Sequence, residues 1–369
     1  MQILTVDVGT GTQDVLLFDS ERELENCFKL VLPSPTVVAA DAIRRATARR
    51  QRLVLQGVTM GGGPCHWATM DHVRAGFEAF ATPDAARTFD DDLDAVTEMG
   101  IAVVSDDEAI ALADQGAARV FMRDLSLGQL LQTLVSFGVN VRLSALAVAV
   151  FDHGAAPPGF SDRVFRFNYL RDRLSRGKGL TGFAFTRDAV PEFVTRLHAV
   201  NTTAASDLPL LLMDTAPAAI IGALEDPRVR AADHPIVANV GNFHCLAFHL
   251  ADGHVAGLFE HHTGELSPAR LGAYVQQLAD GTITNEAVFA DKGHGALVFQ
   301  SDAPLPDLIA VTGPRRAVLV ESGLQPYLAV PHGDMMLAGN LGLLRAFAAQ
   351  DMSIREAVER RLGRYAWRP

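Results

Sequence analysis

Apolar residues fill positions 3–8 and 14–19 apart from Thr5, Asp7, Asp14 and Asp19, and Gly9-Thr10-Gly11-Thr12 separates the two blocks. Blocks this short, bounded by glycine and hydroxyl residues, predict strands rather than helices. The chain therefore opens on a hairpin. A basic, alanine-containing segment at about 41–52 predicts a helix, and residues 52–60 predict a buried strand running into Gly61-Gly62-Gly63-Pro64. Three consecutive glycines cost backbone entropy, so that loop reads either as a close-approach ligand loop or as a tight strand-to-helix turn.

Helical patterns then alternate with short strands at 100–105 and 143–151, the second ending on Asp152-His153-Gly154. Strand C-termini of α/β sheets face ligand crevices, which makes Asp152 and His153 candidate catalytic residues. A buried strand at 208–213 leads into a helical run at 214–224, and Pro227 and Pro235 bracket a charged stretch read as a domain boundary. Beyond it, residues 235–248 repeat the opening outline of strand, polar residue, glycine, polar turn and strand. Alternating strands and helices of this kind predict an α/β fold.

A chain of 369 residues exceeds one ordinary hydrophobic core, so two domains around a cleft are expected. The expected division is a first domain over 1–230, a second over 231–348, and a C-terminal helical tail over 349–369. Hydrophobic residues at 49% and charged residues at 20% exclude a disordered chain. The net charge of −11, without a basic tail, gives no sign of nucleic-acid binding. The opening residues carry no positive leader and no run holds 18 uninterrupted apolar residues, so a cytoplasmic protein with no membrane partner is expected. Arg163, Arg166, Arg171, Arg173 and Arg176 read as a solvated face.

Asp7-Val-Gly9-Thr10-Gly11-Thr12 resembles the first phosphate motif of the actin–hexokinase–heat-shock-chaperone superfamily. Further segments resemble its other motifs in order: 214–224 the first connecting helix, 237–248 the second phosphate motif, 309–316 the adenosine motif and 333–346 the second connecting helix. The resemblance implies two ribonuclease-H-like, actin-like ATPase domains around a central cleft. It implies ATP or another nucleotide with Mg²⁺, gripped by Gly9, Thr10, Gly11, Thr12, Gly241, Asn242 and Gly313. Asp7 is then the metal-linked carboxylate, and Asp214 either positions water or caps its helix. Three segments depart from the pattern. Asn239 stands where the second phosphate motif has an acidic residue, Asn242-Phe243-His244 replaces its glycine-rich turn, and Pro314 replaces a glycine of the adenosine motif.

Residues 60–64, 151–154, 260–264 and 333–336 resemble more closely a prokaryotic family labelled as pyruvate formate-lyase activating enzymes. Radical chemistry of that type needs three closely spaced cysteines for an iron–sulfur cluster, whereas Cys27, Cys65 and Cys245 lie 38 and 180 residues apart.

Histidines crowd the second half, several in glycine-flanked turns, and a His-bound divalent metal is a second expectation, with His244, His261 and His262 as ligands and His153, His294 and His332 as further candidates. Three functions stay open: a nucleotide-binding ATPase or phosphotransferase acting on a small molecule or a partner enzyme, a histidine metalloenzyme, and a non-catalytic activator module. Substrate and oligomeric state are left open.

Overall fold

A computed structural model describes residues 1–157, 159–176, 179–204 and 206–364. In chain order its strands are β1 (Gln2–Val8), β2 (Thr12–Asp19), β3 (Phe28–Pro33), β4 (Leu53–Gly57), β5 (Ala79–Ala81), β6 (Ile101–Val103), β7 (Ala118–Met122), β8 (Leu143–Val150), β9 (Ala184–Thr186), β10 (Leu210–Asp214), β11 (Pro235–Val240), β12 (His244–Ala251), β13 (His254–His262), β14 (Gly295–Val298), β15 (Leu308–Thr312) and β16 (Tyr327–Leu328).

One sheet runs β3-β2-β1-β8-β10-β9 and another β14-β13-β12-β11-β15-β16. In each, a three-stranded antiparallel meander is followed by strands that pair parallel to its first strand: β8 with β1 and β10 with β8, then β15 with β11 and β16 with β15. That is the ribonuclease-H-like strand order, present twice. The chain is thus an α/β protein of two actin-like domains. The two meanders open on hairpins of the same build: Gly9 N–H donates to Thr12 O at 2.9 Å, and Gly241 N–H donates to His244 O at 2.9 Å.

A third sheet, β6-β5-β4-β7, is wholly parallel and is inserted between β3 and β8 with its own core around Ile43, Leu53, Leu55 and Val120. The helix expected at 41–52 starts earlier and spans Pro35–Ala48, because Pro35 fits the first helical turn and Thr36, Ala39, Ala40, Ile43 and Ala46 form its buried stripe. The strand expected at 52–60 is the shorter β4, leaving residues 58–63 as a loop before the helix Pro64–Arg74.

The helices Thr215–Ala223 and Ala338–Gln350 cross between the two domains on glycine. A Cβ at Gly222 would collide with Ala338 O, and one at Gly342 with Ala218 O. The second of these helices is buried from Ala338 to Ala348. Asn340 Nδ2 donates to Thr5 O at 3.1 Å and to Asp14 O at 2.9 Å, tying the helix to the first hairpin. A helix Met352–Leu362 follows, and residues 365–369 of the expected tail lie outside the described residues. No helix among the described residues is long and apolar enough to cross a membrane.

Arg166 corrects one expectation. The segment is the helix Asp162–Ser175, but its period turns Arg166 inward, where the guanidinium is fully buried. It is held there by Asp214 Oδ2 at 2.6 Å and Glu260 Oε2 at 2.8 Å. Carboxylates from two other segments make burial of the charge tolerable.

Candidate functional site

A cleft of about 1030 Å³ lies between the domains, and both hairpins line it. Asp7, Gly9, Thr10 and Thr12 come from the first hairpin, and Asn239, Gly241, Asn242 and His244 from the second. Gly313 and the glycines at 61–63 also line it. Gly11 does not. It packs on the Asn242 side chain, so the two hairpin turns touch.

The hairpin register sets Asp7 directly opposite Asp14. Cross-strand neighbours share a face, so two carboxylates are forced together at the cleft wall. Thr215 Oγ1 donates to Asp7 Oδ1 at 2.6 Å. Burial pushes the Asp7 carboxyl up to about 6, with Asp214 adding to the rise and the Thr215 hydroxyl opposing it. Its Oδ2 faces Gly339, where no side chain would fit. Asp14 is pushed up to about 8, first by burial and then by the charge of Asp7. Its Oδ1 is buried with no hydrogen-bond partner among the described residues.

Asp152 also lines the cleft, but both oxygens are engaged: Gly154 N–H donates to Oδ1 at 2.8 Å and Leu197 N–H to Oδ2 at 2.9 Å. Burial pushes it up to about 6 in spite of those bonds. Asp214 is not on the cleft lining. It caps the helix Thr215–Ala223 through Ala216 N–H at 2.9 Å and pairs with Arg166.

The glycine loop is fixed from several sides. Met60 N–H donates to Thr88 Oγ1 at 3.2 Å and Gly61 N–H to Asp124 Oδ1 at 3.1 Å, while Thr36 Oγ1 donates to Gly62 O. Arg196 fills the space beside Gly61 and pairs with Asp124 at 2.6 Å. Gly63, at φ 63°, comes against the Thr10 methyl, which brings the inserted sheet's loop to the first hairpin.

The histidines sort by strand alternation. His244 pairs with His262 across β12 and β13, so both point the same way, whereas His261 points to the opposite face. There His261 packs on Tyr274, with Asp291 Oδ2 3.6 Å from its Nε2. His261 thus leaves the expected ligand set. What comes together is His153, His244 and His294, with one donor atom from each within 4.8 Å of the others. His262 stands beside them, its ring centroid 4.6 Å from that of His294. His332 lies elsewhere, 3.7 Å from Glu225. Burial, then the neighbouring positive groups, holds His153, His244 and His294 well below the usual imidazole range, so all three are neutral at neutral pH.

Asp14, Arg166 and Glu260 are the site residues that sequence reasoning missed. A signal existed for the first, because a two-residue turn at Thr10-Gly11 places residue 14 opposite residue 7.

Residues 60–318 match the family described as "Putative pyruvate format-lyase activating enzyme (DUF1786)". The chain belongs to that family. The three cysteines sit in three different cores, Cys27 under the first sheet, Cys65 in the insertion and Cys245 in the second domain, so no shared thiolate cluster is built. No curated protein matches the chain. Similar solved structures include "Lmo2764 protein, a putative N-acetylmannosamine kinase, from Listeria monocytogenes", 11% identical over 95% of this chain and 99% of that one, TM-score 0.37. The ethanolamine utilization protein EutJ from Carboxydothermus hydrogenoformans is 12% identical over 93% and 89%, TM-score 0.33. A ROK family glucokinase from Streptomyces griseus, in complex with glucose and AMPPNP, is 12% identical over 94% and 98%, TM-score 0.30.

Proposed function

We propose that the cleft binds ATP or another nucleotide with Mg²⁺, and that the protein is an ATPase or phosphotransferase whose two domains close on that ligand. The observation that carries this reading is the meeting of two like-built hairpins in one cleft, with Asp7 facing Asp14 in the first. Backbone turned by Gly9 and Gly241 lets phosphate approach main-chain N–H groups, and the hydroxyls of Thr10 and Thr12 add donors. Gly313, at φ 97°, shapes the turn after β15 on the second domain's side.

The residues fit a hard divalent cation. Asp7 Oδ2 and the buried, unpartnered Asp14 Oδ1 are carboxyl oxygens on facing residues at the cleft wall, the donor type that Mg²⁺ takes. When bound, the cation neutralises phosphate charge and orients the group to be transferred. Thr215 holds the Asp7 carboxylate, Asp214 caps the helix that presents Thr215, and Gly339 leaves Asp7 room. Asp152 lines the cleft while its two oxygens hold the backbone at Gly154 and Leu197.

Calorimetry with ATP and ADP, with and without Mg²⁺, tests this. Mg²⁺-dependent binding, at least about tenfold weaker in Asp7→Asn, is expected. If neither nucleotide binds and Asp7→Asn changes nothing, the reading fails. The second hairpin carries Asn239 where the first carries Asp7, which favours as a second reading a clamp that binds nucleotide without hydrolysis and activates a partner enzyme. Steady phosphate release by the isolated chain counts against that alternative.

A further inference from the structure

We infer that His153, His244 and His294 form a metal site in the wall of the cleft, taking a borderline transition-metal dication of the Zn²⁺ type, with its open position turned toward the cleft. The inference does not rest on nucleotide binding, and its cation differs in kind from the one that carboxylate oxygens would hold.

His153 Nε2 and His294 Nε2 are 3.1 Å apart, close to the roughly 3.4 Å edge of a tetrahedral set with Zn–N bonds of about 2.05 Å. His244 Nε2 is buried without a hydrogen-bond partner among the described residues. The 4.8 Å spread of the three donors closes with small side-chain rotations. His153 Nε2 and His294 Nε2 partner each other, but a cluster that served only to pack would gain nothing from leaving His244 Nε2 without a partner, since an unmade buried hydrogen bond is costly. A cation among them removes that cost.

The surroundings fit. Glu260 Oε1 lies 3.5 Å from His294 Nδ1, placing a carboxylate behind the ring while Nε2 faces His153. Arg166 fixes Glu260. Phe151 stacks on His244 at 3.8 Å between centroids and meets His153 edge-on at 4.7 Å. His153 and His244 line the cleft while His294 is buried, so the unfilled side of the trio faces ligand space. The borderline, nitrogen-only donor set selects Zn²⁺, Co²⁺ or Ni²⁺ over Mg²⁺ or Ca²⁺. A small molecule entering there would offer an oxygen or nitrogen to the fourth position.

Chelator-treated full-length protein is titrated with Co²⁺, nucleotide being absent, and Zn²⁺ is then added as competitor. One equivalent of Co²⁺ with the strong visible band of tetrahedral nitrogen coordination, displaced by Zn²⁺, is expected. Affinity should fall about 100-fold or more in His153→Gln and in His244→Gln, since removing a ligand costs at least as much as removing a group behind one. His261→Gln and Asp7→Asn should keep the band, so this site and the nucleotide site fail separately. Far-ultraviolet circular dichroism checks each variant's fold, and the native protein decides alone if a variant does not fold. A folded native protein without the band, or unchanged affinity in both ligand variants, overturns the inference.

Discussion

Asp7 and Asp14 face each other across the first hairpin, and of their four carboxyl oxygens only Asp7 Oδ1 has a hydrogen bond shorter than 3 Å among the described residues. Both carboxyls titrate above their ordinary value of 3.8, near 6 and near 8. A carboxyl raised in the folded state binds its proton more tightly than in the unfolded chain, so its contribution to stability is present at low pH and lost as pH rises. In chelator, the melting temperature should therefore fall between about pH 4 and about pH 8, and Asp14→Asn should flatten that fall. A slope identical in native protein and variant would show that the pair does not titrate as stated. Mg²⁺ should recover stability at the upper end, by binding the folded state alone.

Thr215 supplies the hydrogen bond that restrains the rise at Asp7. In Thr215→Val the Asp7 carboxyl should move further up. Mg²⁺-nucleotide affinity that depends on ionised Asp7 would rise with pH through about 6 in the native protein and through a higher value in the variant. Calorimetry across pH reads the midpoint, and an unmoved midpoint would detach Asp7 from binding.

Arg166 sits between Asp214 and Glu260. Arg166→Ala leaves two buried carboxylates without their cation, and a loss of about 3–5 kcal/mol in urea unfolding is expected. A loss under about 1 kcal/mol would mean that water reaches the pair.

Glycine at 339 is the condition for Asp7 to stand where it does. Gly339→Ala should cost about 1–3 kcal/mol of stability, and it should lower Mg²⁺-nucleotide affinity at least about tenfold by displacing the carboxylate. Affinity equal to that of the native protein would show that Asp7 need not hold its position.

The parts of the site that sequence revealed were local ones. Gly9-Thr10-Gly11-Thr12 and its counterpart at 241–244 declare a hairpin because strand ends, glycine and turn are adjacent in the chain. The helix 214–224 was legible through its small residues, which the crossing at Gly222 requires. Arg166 was not, because a basic run on a helix looks solvated and its partners lie 48 and 94 residues away. The histidine trio was illegible for a similar reason, with His153 following β8, His244 opening β12 and His294 preceding β14, so that only the packing of the two domains brings the rings together. His261 and His262 were a different case. Neighbours on a strand point to opposite faces, so that rule alone excluded one of the two from the company of His244.

The hydrogen bonds from Asn340 to the first hairpin span 335 and 326 positions of chain. That buried amide reaches the opening strands only after the whole second domain has been traversed and the helix has come back. A division at residue 230 would separate the hairpin from that amide and from the helix covering it. The first 230 residues alone lack the helix that covers their hairpin, so a fragment ending there should be less stable than the same segment in the whole chain, and urea unfolding of the two reads the difference.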